Sequence, residues 1–352
     1  MILIDAVYVN SGGGKALLQE LLGGLRAKGK FALLCDARMA GVDTSGYKVM
    51  VIPPRELARR DFYRRHRHLL RRVFCFGNVP PPFRLGAEVA VYFHNVLLCS
   101  GAKNQSWYDK LSGVLKMAYI RWLRRNADVF LVQTKLVESA LAHDLGSGVP
   151  IIELPFYPSC LPSPGSTGPA EGKWSRYAYV SNGYPHKNHA RLIAAWVMLA
   201  QAKVYPELHL TLYGEWEGIY EQIEKAQSLG ARITNHGFTD SRRLYHACGY
   251  QIYPSLVESF GLGLVEAADA GCAVIASDLS YVYSAIRPSG VFDPTSVEAI
   301  YQAVVATHGK PAPPSKIVAS NEMGRLVDWL ASPADSKLDA RCGLLLRESD
   351  RG

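Results

Sequence analysis

The sequence predicts an α/β chain folded as two doubly wound parallel-sheet domains, and three observations carry that reading. Short apolar or alternating runs of strand length alternate with helical patterns through both halves. A Pro/Gly/Ser-rich seam divides them near the middle, and 352 residues suffice for two domains, each with its own core. Strands that alternate with helices pair in parallel, and a parallel sheet needs both faces covered by helices.

In the first half the strand runs are Ile2 to Val9, Phe31 to Cys35, Tyr47 to Ile52, Val73 to Phe76, Val89 to Phe93, Val129 to Val132 and Ile151 to Leu154. Helical patterns such as Leu17, Leu18, Leu21, Leu22 and Leu25 lie between them. In the second half the runs are Tyr177 to Val180, Leu208 to Tyr213, Ala231 to Thr234, Tyr250 to Tyr253, Ala273 to Ala276 and Gly290 to Phe292. The seam is Pro155 to Pro169, and a second such stretch, Gly309 to Ser315, precedes a last helical pattern at Ile317 to Leu330. The expected division is 1–160, 170–315, and 316–352 as a helix returning to the first domain followed by a weakly ordered polar tail.

Composition bounds the function. With 48% hydrophobic and 20% charged residues the chain is ordinary for a globular protein. No apolar run is long enough for a membrane span, and Met1 leads straight into Ile2-Leu3-Ile4-Asp5 rather than a basic leader, so neither export nor spanning is expected. Seven scattered cysteines, with no CxxC pair and no Cys/His cluster, fit a reducing cytoplasm and no metal site. The net charge of +8 is uneven: residues 1 to 165 hold 22 Lys and Arg against 12 Asp and Glu.

Ligands of open parallel sheets bind beyond the carboxyl ends of the strands, so the chemistry is expected in a cleft between the two domains. The most informative segment is Tyr253-Pro-Ser-Leu-Val-Glu258-Ser259-Phe260-Gly261-Leu262-Gly263-Leu-Val-Glu266. It reads as a strand, a loop with one carboxylate, a glycine turn, and a helix whose first turns hold a second carboxylate eight residues on. A helix starting near Gly261 offers free N–H groups and a positive dipole end to a diphosphate, and the carboxylates can accept from hydroxyls on either side of it. A diphosphate with a hydroxylated ring at each end is a nucleotide-sugar. Spacing alone leaves open a second reading, with Glu266 on a solvated face and the glycines only tightening a turn.

This segment resembles the E-x7-E signature of retaining glycosyltransferases of GT-B fold, in particular glycosyltransferase family 4. Val180-Ser181-Asn-Gly183-Tyr-Pro-His186-Lys187-Asn188 is similar to the family segment that opens the donor domain. Leu210 to Gly214, His236-Gly237-Phe238 and Leu244 to Ala247 fall at the family's next landmarks, over residues 175 to 295 in all. The resemblance implies two Rossmann-like domains facing across a cleft and a nucleotide-sugar donor. Glu258 would contact the donor sugar, Glu266 the ribose, and the amides of Ser259, Phe260, Gly261 and Leu262 the diphosphate. Lys187 would stabilise charge on the leaving nucleoside diphosphate. Ser181 and Gly183 would line the donor site, with Tyr213, Gly214, His236, Gly237 and Phe238 near the base. Two departures stand out: His186 where a basic residue is usual, and Gly263 where proline is usual.

In the first half Gly12-Gly13-Gly14-Lys15 follows the first strand and precedes the first helix. It fails as a phosphate-binding P-loop, because no Gly stands five residues before Gly14 and Ala16 replaces the hydroxyl residue. The family has a glycine-rich loop here that closes over the donor, and His94, ending a strand, sits where the family has a histidine near the donor sugar. No Asp-x-Asp occurs, and the resemblance implies a metal-independent reaction with no resident cofactor, in which the acceptor attacks on the face the diphosphate leaves.

The densest charge run is Arg55, Arg59, Arg60, Arg64, Arg65, Arg67, Arg71 and Arg72, and a second group from Trp107 to Arg125 mixes aromatic and basic residues. Such stretches suit an anionic bilayer surface, where each cation contributes roughly 1 kcal/mol. A plain reading of both stretches is solvated helix faces. The resemblance implies a saccharide or lipid-linked saccharide acceptor in bacterial surface-polysaccharide assembly, and with it the basic half makes the inner face of the plasma membrane the other expected partner, with no nucleic acid. The alternatives are another sugar-nucleotide enzyme of the same fold, epimerase-like, a nucleic-acid-binding protein using the Arg55 to Arg72 run, and a catalytically dead sugar-nucleotide sensor.

Overall fold

The computed structural model describes residues 1–9, 12–39, 41–100, 107–159 and 172–332. It divides into two units. One comprises Met1–Ser100, Lys110–Pro158 and the segment from Ser320; the other is built on Ser159–Ala319.

The first unit holds β1 (Ile2–Asp5), α1 (Gly12–Leu25), β2 (Phe31–Cys35), β3 (Lys48–Val51), α2 (Glu56–His66), β4 (Arg72–Cys75), β5 (Glu88–Phe93), α3 (Trp107–Leu123), β6 (Val129–Val132), α4 (Lys135–Leu145) and β7 (Ile151–Glu153). Its sheet runs β3-β2-β1-β4-β5-β6-β7. Every pairing is parallel, with Ile2 opposite both Phe31 and Arg72. The central strands are buried on both faces, which is why they read as continuous apolar runs. Strand order reverses between β1 and β4, and there Gly77 follows β4: a Cβ on it would lie 2.2 Å from the Val7 carbonyl oxygen, so no other residue fits.

The second unit holds β8 (Arg176–Tyr179), α5 (His189–Gln201), β9 (Glu207–Leu210), α6 (Glu217–Ser228), β10 (Ile233–Asn235), α7 (Ser241–Ala247), β11 (Tyr250–Tyr253), α8 (Leu262–Asp269), β12 (Ala273–Ser277), α9 (Ser280–Ala285), β13 (Ile286–Arg287), β14 (Gly290–Phe292), α10 (Val297–Thr307) and β15 (Lys316–Ile317). Its parallel sheet runs β10-β9-β8-β11-β12-β14, reversing between β8 and β11, where Tyr177 pairs with Tyr250. The last helix, α11 (Met323–Ala331), packs against α1 of the first unit. Arg72 fastens it there: its guanidinium lies 4.8 Å from the Trp329 ring and donates to the Trp329 carbonyl.

Several details differ from the sequence expectation. The first strand stops at Asp5 rather than Val9, because side-chain carboxylates take over the backbone donors: Asp5 accepts from Val7 N and Asp36 from Tyr8 N, with Tyr8 left-handed at φ 81°. Gly12, Gly13 and Gly14 form the first turn of α1 instead of a loop before it. The helix expected from Ile317 begins at Met323; Ile317 instead pairs antiparallel with Ile286, in two-residue strands too short to show a period. Arg59 and Arg72 leave the solvated charge run, since both are buried in ion pairs, Arg59 with Asp5 at 2.8 Å and Arg72 with Glu88 at 2.7 Å. Of the seam, 155–159 is described and buries Phe156; the rest of it and the polar tail from 333 lie outside the described residues. Cys35, Cys75, Cys99, Cys248 and Cys272 are free and buried. Among the described residues no helix is long and apolar enough to cross a membrane.

Candidate functional site

In the second unit the chain leaves β8 and β11 side by side, at the point where strand order reverses. After β8 it makes a single turn, Pro185–Lys187, and passes through Asn188 in the left-handed region at φ 63°. After β11 it runs as a loop from Pro254 to Gly261. The two loops are stitched together: Leu256 N donates to the His186 carbonyl at 2.8 Å, and Asn188 Nδ2 donates to the carbonyls of Pro254 (3.0 Å) and Pro294 (2.8 Å). Tyr179 donates to the Lys187 carbonyl at 2.9 Å, and Ser277 and Tyr281 both donate to the Ser255 carbonyl.

This stitching brings Lys187 and Glu258 together, Nζ to Oε1 at 2.6 Å, with both side chains mostly buried. Oε1 of Glu258 also accepts from the Tyr253 hydroxyl at 3.1 Å. Burial alone would raise the Glu258 carboxyl, but the Lys187 ammonium outweighs it and holds the group below its ordinary value. His186 goes the other way: burial, reinforced by Lys187, lowers it to about 4, so it is neutral at pH 7. The residue standing where the resemblance has a base therefore supplies no cation, and Lys187 is the positive charge of this turn.

Gly261 caps α8 in the left-handed region, φ 80° and ψ 55°, where a Cβ would lie 2.7 Å from Leu264 Cδ1. Leu262 opens the helix, Leu264 N donates to the Gly261 carbonyl at 2.8 Å, and the positive end of the helix dipole lies at this turn. Phe260 is buried and Ser259 half-buried beside it. Glu266, one turn in, accepts from the Tyr245 hydroxyl on α7 at 3.2 Å; burial pushes its carboxyl up to about 7. The reading of Glu266 as a solvated surface residue is thereby removed. Gly263 has a local reason too: a Cβ there would lie 3.2 Å from the Tyr253 ring and 3.6 Å from the Tyr245 hydroxyl, leaving little room for a proline ring.

Ser181 Oγ lies 3.2 Å from His189 Nε2 and donates to the Asn182 carbonyl. The Trp216 ring covers Gly183, where a Cβ would meet it at 2.5 Å. Tyr213 and the exposed Phe238 meet edge to face at 5.2 Å, and Tyr220 donates to the Gly214 carbonyl. His236 Nε2 is 2.9 Å from His209 Nδ1, and Gly237 follows at φ 64°. In the first unit His94 is neutral at pH 7, its pKa lowered to about 4 by burial, and its Nε2 lies 3.3 Å from where a Cβ on Gly14 would stand. The glycine turn and His94 thus adjoin, while Gly12 and Gly13 are exposed.

What the second unit assembles is one ammonium, a run of first-turn amides and two buried carboxyls of opposite character, one ionised and one poised near neutrality. Such a set suits an anion carrying hydroxyls. Among the described residues no group of three or more His, Cys, Asp or Glu could hold a metal ion. Sequence reasoning missed Tyr253, Tyr245 and Asn188, which hold the carboxylates and the loops. Tyrosine at a strand end or in a helix carries no spacing signal; Asn188, immediately after Lys187, was legible as a residue tolerant of positive φ.

Residues 169–307 match the family model of glycosyl transferases group 1. Over 135 residues the chain is 31% identical to O-antigen chain mannosyltransferase B of Escherichia coli, a match covering 36% of this chain and 35% of that one. The chain thus spans about a third of the length of this relative. Among solved structures it is similar to WaaG, a glycosyltransferase involved in lipopolysaccharide biosynthesis, at TM-score 0.69 and 15% identity over 99% of this chain and 98% of that one. It is also similar to Anabaena HepE in complex with UDP-glucose, at TM-score 0.66 and 16% identity over 99% of each chain. These structural likenesses show the GT-B fold.

Proposed function

From a GT-B chain whose residues 169–307 are a glycosyl transferases group 1 domain, we propose that this protein transfers a sugar from a nucleoside diphosphate sugar to a saccharide acceptor, with retention and without a metal. The observation that carries the reading is the Lys187–Glu258 pair at 2.6 Å, held where strand order reverses and next to the N-terminus of α8. In this reading Lys187 and the amides take the diphosphate, Glu266 accepts from the ribose hydroxyls and Glu258 from those of the sugar. As the glycosidic bond breaks, charge builds on the leaving diphosphate, and the ammonium and helix dipole stabilise it. In the first unit the same reading gives donor contacts to His94 and the Gly12–Gly14 turn.

The acceptor we propose is a lipid-linked saccharide of bacterial surface-polysaccharide assembly, reached at the inner face of the plasma membrane; the O-antigen and lipopolysaccharide relatives support that setting. A surface on the first unit supports it as well. On α3 the residues Leu111, Val114, Leu115 and Trp122 fall on one helical face and are each more than half exposed, as is Leu57 on α2. Arg60, Arg64, Lys116, Arg121 and Arg125 are exposed around them. An apolar stripe flanked by cations suits an anionic bilayer surface.

The test is a thermal-shift screen against UDP, GDP, ADP and their sugars, followed by transfer with the sugar of the nucleotide that stabilises. A ligand at 100 times its Kd stabilises by about 2.7 kcal/mol. Lys187→Ala and Glu266→Ala are expected to abolish transfer with the fold intact; near-normal turnover in both overturns the reading. Donor consumed without any acceptor would favour an epimerase-like activity instead.

A further inference from the structure

Oε1 of Glu258 accepts from two donors that differ in how far they can move. Lys187 Nζ, at 2.6 Å, ends a flexible chain. The Tyr253 hydroxyl, at 3.1 Å, ends a buried ring at the close of β11, packed edge to face on Tyr179 at 5.6 Å and tilted against Tyr281 at 6.4 Å. An anionic ligand that takes Lys187 leaves a mostly buried carboxylate behind, which is unfavourable unless another donor stays.

We propose that the Lys187–Glu258 pair is the closed resting state of the donor site, opened when a diphosphate takes the lysine, and that Tyr253 is the positioning residue that keeps Glu258 ionised and in place once the lysine has left. This rests on the reading of the site as a nucleoside diphosphate site and adds how it opens. Apart from Ser255, the other groups around the carboxylate are poorly placed to substitute. His186 is neutral at pH 7, and His189, neutral too, faces Ser181. The Tyr179 hydroxyl is engaged by the Lys187 carbonyl and Ser255 Oγ, and the Tyr281 hydroxyl donates to the Ser255 carbonyl. Ser255 Oγ, buried against Tyr179, also hydrogen-bonds Glu258; it is unchanged in the Tyr253 variant, so its share cancels when the two proteins are compared. With Lys187 withdrawn, the burial that the ammonium had outweighed acts alone and favours a protonated Glu258. The Tyr253 hydroxyl, donating to the ionised form, opposes that.

The experiment is calorimetric titration of the full chain with whichever of UDP, GDP and ADP binds most tightly, at pH 7 in buffers of different ionisation enthalpy, so that protons exchanged on binding are counted. Tyr253→Phe, which removes one hydroxyl, is expected to bind at least fivefold more weakly and to take up more protons on binding than the wild type. Reading the difference between the two proteins cancels protons from other groups, Glu266 included. In a Glu258→Gln background the same Tyr253→Phe change is expected to alter affinity less than twofold and the proton count not at all. Equal loss in both backgrounds, or an unchanged proton count in Tyr253→Phe, overturns the proposal by making Tyr253 merely structural. Should Tyr253→Phe fail to fold, infrared difference spectra of the wild type decide: a protonated Glu258 appearing on nucleotide binding, assigned by its loss in Glu258→Gln, overturns it. A wild type that binds none of the three nucleotides instead overturns the donor-site reading beneath it.

Discussion

The Tyr245 hydroxyl reaches from α7 to within 3.2 Å of Oε2 of Glu266 on α8, and together with the Arg242 charge it moderates a carboxyl which burial raises to about 7. A folded-state pKa above the unfolded one means that the native protein holds the proton more tightly. Stability is then fully present below the unfolded pKa, near 4.5, and is lost as pH rises through about 7. Glu266→Gln, which cannot ionise, is expected to unfold at a higher temperature than the wild type at pH 8 and at a similar one at pH 5. Thermal scans at the two pH values check this.

Ligand binding runs against that stability trend. Hydroxyls that donate to Glu266 favour its ionised form, so nucleoside diphosphate affinity is expected to rise from pH 6 to pH 8 and to level off above the folded pKa. Glu266→Gln flattens the profile. Titrations at four pH values measure it, and a wild-type profile that is already flat removes Glu266 from the ligand contacts.

The fold was legible because buried strands announce themselves as apolar runs, and all thirteen sheet strands of the two large sheets fall within or beside such runs. The two-residue strands β13 and β15 were not, since two residues carry no period. At the site, Glu258 and Lys187 were legible from their motifs, whereas Tyr253 and Tyr245 were not, because their role depends on which loop lies opposite. The charge of the Arg55 to Arg72 run was legible only as a sum. Whether an arginine faces solvent or a buried aspartate depends on contacts 54 residues away, as between Arg59 and Asp5.

That partition of the arginines can be measured. Arg59 bonds Asp5, the Pro80 carbonyl and the Val79 carbonyl from a buried position, so Arg59→Leu leaves the buried Asp5 carboxylate without its counter-charge, holding only the Tyr63 hydroxyl and Val7 N, and is expected to destabilise by about 3–5 kcal/mol. Arg64→Ala, at an exposed position of α2, is expected to change stability by less than about 0.5 kcal/mol. It should instead weaken binding to phosphatidylglycerol vesicles by about 1 kcal/mol, and Trp122→Ala on the α3 stripe should weaken it further. Denaturant titration and vesicle sedimentation at low and high salt separate the two effects; equal sedimentation of wild type and both surface variants discards this face as a membrane contact.

Asn188 combines two requirements that substitution can separate. It takes a left-handed backbone, φ 63° and ψ 32°, and its amide donates to the Pro254 and Pro294 carbonyls. Asn188→Gly keeps the backbone free to turn but removes both bonds, leaving two carbonyls unsatisfied at about 1–3 kcal/mol each where no water reaches them. Asn188→Ala adds the left-handed penalty of roughly 1–2 kcal/mol. The expected order of stability is wild type, then Gly, then Ala. Because the same bonds hold the Lys187 turn against the Glu258 loop, nucleotide affinity should fall already in the Gly variant, before the backbone penalty is added. If Asn188→Gly binds nucleotide like the wild type, the Leu256-to-His186 backbone bond is enough to align Lys187 with Glu258.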